Sequence, residues 1–332
     1  MHIADRLELP AGYCARPFRG AADFPAMAEI LTDHRLRNGE PERVDAAQIE
    51  SSYRHLERCD PELDIFLVEH EGAPIGYGRS MFDDLTTGRE LMVFFPLRSD
   101  HVSAALFHGI AAGVEAHAAK YVVDASHTRF RSDARHPGPG EPASGEAAWL
   151  ESRGYEAAHW SAALVRPHLD DVPARELPPG VELRPATHEQ LRTIMAAHLE
   201  AFRGEWDFVE PNEAAYAWVL DDPYCDPTLW QVAWADDEVV GQVKPFINHD
   251  ENEERGYQRG YTEYISTRHD WRNRGIAGAL LARSLLALRE RGMTSAALGV
   301  DTNNPGGAFH LYRSLGFELQ AYLAVYVKPF QT

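Results

Sequence analysis

The chain is short of cysteine, of positive charge and of long apolar runs, and each shortage removes a class of function. Its three cysteines, Cys14, Cys59 and Cys225, are scattered and odd in number, which argues against a disulfide framework and leaves no CxxC pair for a structural metal. They are expected as reduced thiols. The sixteen histidines form no HxxxH or HxH pattern, so no metal is expected. No stretch approaches the roughly 20 apolar residues that span a bilayer. Met1-His2-Ile3-Ala4-Asp5-Arg6 lacks the basic start and apolar middle of a signal peptide, so a cytoplasmic location is expected. Lys and Arg number 32 against 51 Asp and Glu, a formal net charge of −19. That field repels phosphate backbones and anionic lipid, arguing against nucleic-acid and membrane partners. It would draw in a cationic or amine substrate, and acidity that serves only solubility explains it as well.

What is present suits two domains. The chain has 332 residues, 44% hydrophobic and 25% charged, the composition of an ordinary globular protein but too long for one typical domain. It also repeats itself. Leu9-Pro10-Ala11-Gly12 returns as Leu177-Pro178-Pro179-Gly180, each leading into an amphipathic helix. The hairpin-like Ile65 to Gly76 returns as Trp230 to Gly241. Trp149-Leu150-Glu151-Ser152-Arg153-Gly154-Tyr155 parallels Leu311-Tyr312-Arg313-Ser314-Leu315-Gly316-Phe317, and Arg166-Pro167 parallels Lys328-Pro329. A period this long is domain duplication and not a solenoid. Expected domains are 1–165 and 180–332, joined by a linker at 166–179 whose Pro167, Pro173, Pro178 and Pro179 among acidic residues predict an extended, solvated segment. Arg131 to Gly145, rich in Pro and Gly, reads as a mobile surface loop.

Chemistry concentrates near the C-terminus. Tyr264 to Thr267 is a β-branched and aromatic run, and Ile276 to Arg289 places Leu280, Leu281, Leu285 and Leu288 at helical spacing. Between them lies Arg272-Asn273-Arg274-Gly275-Ile276-Ala277, a strand-to-helix loop with nothing bulky where the first helical N–H groups open. Those amides and the positive end of the helix dipole suit a diphosphate. Gly275 tolerates φ > 0, and a larger residue than Ala277 would block a ligand's approach.

The loop resembles the Q/R-x-x-G-x-G/A signature of the GNAT (GCN5-related) N-acyltransferases, and Asn303-Asn304-Pro305-Gly306-Gly307-Ala308-Phe309-His310-Leu311-Tyr312 to Phe317 resembles that family's N-x-x-A-x-x-L-Y-x-x-x-G-F. The asparagine stands one residue out of the common spacing, leaving Asn303 or Asn304 to reach the pantetheine arm. The resemblance implies an α/β (α+β) fold of two tandem GNAT-like domains, each a mixed, mostly antiparallel sheet flanked by helices. It implies acetyl-CoA as cosubstrate, gripped by Arg272, Asn273, Arg274, Gly275, Ile276 and Ala277, with Ile265, Ser266 and Thr267 offering amides to the thioester carbonyl. Tyr312 matches the tyrosine that protonates the departing sulfur. The implied partners are coenzyme A and a small-molecule amine, an aminoglycoside or polyamine among them, bound by a monomer or homodimer.

Three further site readings combine the residues with that resemblance. Glu263 sits two residues before Ile265, so strand alternation puts both on one face, where a carboxylate serves as general base or in an ion pair with an arginine. The resemblance puts the acceptor pocket at the stretch holding Glu205, Trp206, Asp207 and Phe208, where the acids would bind a cation and the aromatics form an apolar or stacking wall; a solvated loop with anchoring aromatics explains them almost as well. Asp250 to Arg259, with Glu251, Glu253 and Glu254, caps that pocket or turns through solvent. The first copy differs: its counterpart loop, Phe95 to Ala105, has no glycine but carries Asp100, and Leu150 stands where the second copy has Tyr312. A degenerate first domain without turnover is expected, supporting the second.

Overall fold

A computed structural model describes residues 1–332 except 41, 86, 204–207, 209–211, 303–307 and 332, together with the side chains of 215 and 218. The chain divides into two compact units: unit 1 holds Met1–Ser161 and Ala321–Thr332, and unit 2 holds Ala162–Gln320. The division therefore gives the last strand of the chain, from Ala321 onward, to unit 1, where the sequence reading assigned all of 180–332 to one domain.

Unit 1 runs β1 (Tyr13–Pro17), α1 (Phe24–Arg37), α2 (Ala46–Arg54), β2 (Ile65–His70), β3 (Ala73–Leu85), β4 (Gly88–Phe94), α3 (Ala104–Ala118), β5 (Thr128–His136) and α4 (Glu146–Ser152). β6 (Glu156–Arg166) crosses the division. Unit 2 continues with β7 (Glu182–Arg184), α5 (Leu191–Ala201), α6 (Glu213–Leu220), β8 (Gln231–Ala235), β9 (Glu238–Phe246), α7 (His249–Arg255), β10 (Arg259–Thr267), α8 (Ile276–Glu290), β11 (Ser295–Asp301) and α9 (Ala308–Ser314). β12 (Glu318–Pro329) closes the chain.

The duplication shows in the pairing. In unit 1 strands β1 to β4 pair antiparallel in sequence, β4 and β5 pair parallel, and β12 lies antiparallel to β5 from Tyr322↔His136 to Pro329↔Arg129. In unit 2 strands β7 to β10 pair antiparallel in sequence, and β10 and β11 pair parallel. Each unit thus joins a meander to one parallel crossover made by a helix, α3 or α8. Both form cores of their own: Leu106, Phe107, Ile110, Val114, Ala324 and Tyr326 pack in unit 1, and Ile194, Met195, Trp230, Val232 and Trp234 in unit 2. No helix among the described residues is long and apolar enough to cross a membrane.

Three local readings give way to packing. Residues 131–136 belong to β5, so the irregular stretch of unit 1 is confined to 137–145. The 166–179 segment is not solvated throughout, since Arg166 and Leu169 are buried and the Arg166 guanidinium is held by the carbonyls of Leu315 and His168 and by Asp171. Asp250 to Arg255 is helical, with Glu251 wholly buried and accepting from the Tyr257 and Tyr261 hydroxyls, so it is no solvent-facing turn.

Candidate active site

The site begins with an irregularity in β10. Glu263 lies opposite Lys244, but Ser266 lies opposite Gln242, so β10 holds one residue more than β9 across this span. Tyr264 takes up the excess at φ 51, a left-handed conformation that a non-glycine residue seldom adopts. On its other edge β10 keeps parallel register with β11 from Arg259↔Ser295 to Tyr261↔Ala297. Beyond that register Ile265, Ser266 and Thr267 line a cavity of about 300 Å³.

The loop after β10 supplies the next wall. Asn273 (φ 62) and Gly275 (φ 83) both lie in the left-handed region. Gly275 occupies the N-cap position of α8 with no side chain capping the helix, and the first helical bond runs from the Ala279 N–H to the Gly275 carbonyl at 3.1 Å. The amides of Ile276, Ala277 and Gly278 have no partner among the described residues. Gly275, Ile276, Ala277 and Gly278 all line the cavity, so the positive end of the α8 dipole opens into it. A Cβ at Gly275 would meet nothing within 4 Å, so glycine is required there by its φ and not by lack of space. The tight position is Gly278, where a Cβ would come to 3.2 Å from Arg175 Nη1 and 3.3 Å from Leu311 Cδ1.

Tyr312 completes the wall from α9. Only 5% of it is exposed, and its ring stands edge-on to Phe317 at 6.1 Å. Burial, and then the Glu263 charge, push its phenol well above the ordinary tyrosine range, which keeps the proton on the oxygen.

Other sequence-named residues are placed differently. Arg272 and Asn273 line the cavity, but the Arg272 guanidinium donates to the carbonyls of Ala201 (2.8 Å) and Thr267 (3.3 Å), which ties the end of α5 to the loop. Arg274 is not in the cavity wall; its guanidinium lies 4.6 Å over the Trp271 ring and donates to the Asp270 carbonyl at 2.9 Å. Glu263 is also outside the wall, and its Oε1 accepts the Gly299 amide at 3.2 Å. The face it was expected to share with Ile265 is lost because the extra residue interrupts the two-residue alternation. Phe208 is half-buried. Asn303, Asn304, Glu205, Trp206 and Asp207 lie outside the described residues.

Two cations escaped the sequence reading. Arg175, from the segment read as a solvated linker, lines the cavity and donates to Ser314 Oγ at 2.9 Å. Lys244 on β9 is 3% exposed. The chain has only three lysines, Lys120, Lys244 and Lys328, and Lys244 and Lys328 both stand in a Val-Lys-Pro-Phe run, so the sequence alone does not single out Lys244.

Comparison with known proteins agrees with this geometry. Residues 191–317 match the profile of the acetyltransferase (GNAT) family. A mycothiol acetyltransferase of Thermobifida fusca is 31% identical over 181 residues, 49% of this chain and 54% of that protein, so this chain matches about half the length of that relative. Among solved structures, a GCN5-related N-acetyltransferase from Sphaerobacter thermophilus superposes with TM-score 0.70 at 21% identity, covering 98% of both chains. A tandem GNAT protein from the clavulanic acid biosynthesis pathway gives TM-score 0.65 at 14% identity, covering 96% of this chain and 99% of that one. The stretch that holds the bulged β10 and the uncapped α8 is thus the stretch similar to the GNAT acetyltransferase family, and the chain as a whole shares the fold of GNAT and tandem GNAT proteins.

Proposed function

We propose that unit 2 transfers an acetyl group from acetyl-CoA to a small-molecule primary amine, directly and within a ternary complex, and that unit 1 does not turn over. The observation that carries this reading is the cavity into which the bare amides of Ile276, Ala277 and Gly278, the left-handed loop and the Tyr312 phenol converge. Acetyl-CoA, when bound, supplies the thioester and a diphosphate.

The residues fit that group. Uncapped amides at a helix N-terminus bind a diphosphate without side-chain help, and Arg175 across from them adds a guanidinium that Arg272, tied to carbonyls, supplies less freely. Ile265, Ser266 and Thr267, past the bulge, line the cavity, and a backbone amide of this stretch would stabilise the oxyanion there. Tyr312, held protonated, gives its proton to the leaving sulfur. The similarity to a mycothiol acetyltransferase favours a small acceptor, and aminoglycoside and polyamine amines stand as alternatives.

Release of free thiol from acetyl-CoA in the presence of a library of primary amines tests the reading. Silence with every amine, despite tight coenzyme A binding, would make this an acyl-CoA-binding or sensing protein. Gly275→Val should raise the acetyl-CoA KM roughly tenfold or more, because a β-branched residue at that φ costs about 1–3 kcal/mol and displaces the amides. An unchanged KM removes the loop from the account.

A further inference from the structure

We propose that Arg166 is a positioning residue of this site: it grips the C-terminal end of α9 and so sets where the Tyr312 hydroxyl stands in the cavity. The proposal rests on the acetyltransferase reading and gives a role to the repeated Arg166-Pro167 pair, which that reading leaves unused.

α9 is 7 residues long, about two turns, and Tyr312 lies in its last turn. The helix ends in a pair of bonds that fold the chain back: the Gly316 amide donates to the Arg313 carbonyl at 3.0 Å, and the Phe317 amide to the Tyr312 carbonyl at 3.1 Å. Gly316 sits at φ 83, the left-handed conformation on which such an ending turns. The ending holds Tyr312 by backbone and by ring, because the Phe317 ring also stands edge-on to the phenol ring at 6.1 Å. A tilt of this turn therefore moves the hydroxyl.

Arg166 closes on the turn. It is 3% exposed, and its guanidinium donates through Nη1 to the Leu315 carbonyl, through Nε to the His168 carbonyl at 2.8 Å, and through Nη2 to Asp171. A Cβ on Gly316 would collide with Arg166 Nη1, so the guanidinium lies directly against the glycine. Further along the same segment Arg175 donates to Ser314 Oγ at 2.9 Å, and Ser314 Oγ to the Leu311 carbonyl at 2.7 Å, a second hold on the helix. All of these residues belong to unit 2. Stability alone does not call for a cation here. The one acid that Arg166 meets, Asp171, is exposed, and burying a guanidinium against so little opposite charge costs desolvation that an apolar side chain avoids.

The first copy ends its helix in the same way without the tie. Gly154 sits at φ 83, its amide donates to the Glu151 carbonyl at 2.9 Å, and the Tyr155 amide donates to the Leu150 carbonyl at 3.2 Å. The counterpart of Arg166 is Lys328, whose Cδ would lie 3.8 Å from a Cβ on Gly154. Its ammonium turns to Glu115 at 2.7 Å and, among the described residues, gives no bond to the helix end. The residue in the place of Tyr312 is Leu150, which has no proton to aim. The cation that reaches a helix-end carbonyl is thus found in the copy with the phenol.

The test places Arg166→Met, Arg166→Lys and Asp171→Asn each in the parent and in a Tyr312→Phe background, with acetyl-CoA and whichever of spermidine, kanamycin, glucosamine and 2-phenylethylamine the parent acetylates fastest. Removing the guanidinium strands no buried charge, since Asp171 is exposed, so Arg166→Met should fold and bind coenzyme A with parent affinity by calorimetry. Its kcat should fall on the order of tenfold, the scale of a displaced reacting group, with the acetyl-CoA KM unchanged. Arg166→Lys keeps a donor without the fork and should stay within about threefold of the parent. Asp171→Asn, which weakens only an exposed ion pair, should cost about twofold. In the Tyr312→Phe background all three should cost nothing further, because an absent hydroxyl cannot be misplaced. A purely structural Arg166 would cost the same in both backgrounds.

A parent-like kcat in Arg166→Met, an equal loss in both backgrounds, or a loss carried by the acetyl-CoA KM overturns the proposal. Should Arg166→Met not fold, the same comparison of backgrounds with Arg166→Lys and Asp171→Asn decides, and equal kcat values or equal losses there count against it. Failure of the underlying reading looks different. A parent silent with every amine removes the acetyltransferase assignment, and a Tyr312→Phe enzyme with parent kcat removes the acid role; either takes the role of Arg166 with it. An impaired Tyr312→Phe beside a parent-like Arg166→Met removes the positioning alone.

Discussion

The β4 to α3 crossover of unit 1 and the β10 to α8 crossover of unit 2 are copies of one design, and they differ in how the helix opens: a side chain caps α3, while none caps α8. In unit 1 the β3/β4 register runs without a slip from Leu85↔Gly88 to Arg79↔Phe94, and Gly76 bridges Leu97 in the same register. The amides of Tyr77 and Arg98 are consumed in that extension. Ser132 from β5 donates its hydroxyl to the Val93 carbonyl at 3.0 Å, fastening the parallel pair. The helix that follows is capped, with Ser103 Oγ accepting the Leu106 amide at 3.4 Å, and Asp33 takes both the amide and the hydroxyl of Ser99. Leu150, 1% exposed, packs in the core where unit 2 presents a phenol. In unit 2 one inserted residue breaks the register and a left-handed glycine stands in place of the cap. One architecture can thus present its helix-opening amides to solvent in one copy and cap them in the other, which changes what each could bind.

The contrast can be broken most decisively by counting sites. Calorimetry with coenzyme A should find one strong site per chain; two of equal strength would show that the capped crossover binds as well as the open one. Next in size is Tyr312→Phe, expected to lower kcat roughly 10²-fold with coenzyme affinity unchanged, as loss of an acid requires. A matching loss of affinity would make Tyr312 a packing residue like Leu150. The smallest effect belongs to Arg175→Ala, which should weaken coenzyme A binding about tenfold, the scale of one hydrogen bond to a charged group, and leave pantetheine binding unmoved. Equal weakening of both ligands would place Arg175 away from the phosphates.

Much of this was legible because it is written in local patterns. The α8 spacing of Leu280, Leu281, Leu285 and Leu288, the β11 run and the two hairpins each follow from a period that the sequence displays. Gly275 could be placed because a strand-to-helix turn at positive φ favours glycine. The bulge at Tyr264 was not legible, since an inserted residue leaves the apolar alternation looking intact while shifting what lies beyond it. Arg175 and Leu169 were lost because proline and acid content predict the backbone of a segment, not the surface it meets. Glu251 read as solvent-facing because its acidic neighbours do, although two tyrosine hydroxyls hold it inside. Lys244 was passed over because a single lysine has no period.

The last strand of the chain has a consequence for how this duplication could ever be undone. From Ala321 onward the polypeptide belongs to unit 1, where Ala324 and Tyr326 sit in the core and Lys328 is held by Glu115 at 2.7 Å. A cut between the repeats would give an N-terminal fragment lacking the strand that covers the edge of β5 and fills that core. The capped copy and the open one are therefore inherited together, and a gene that discarded the first would strand the tail of the second.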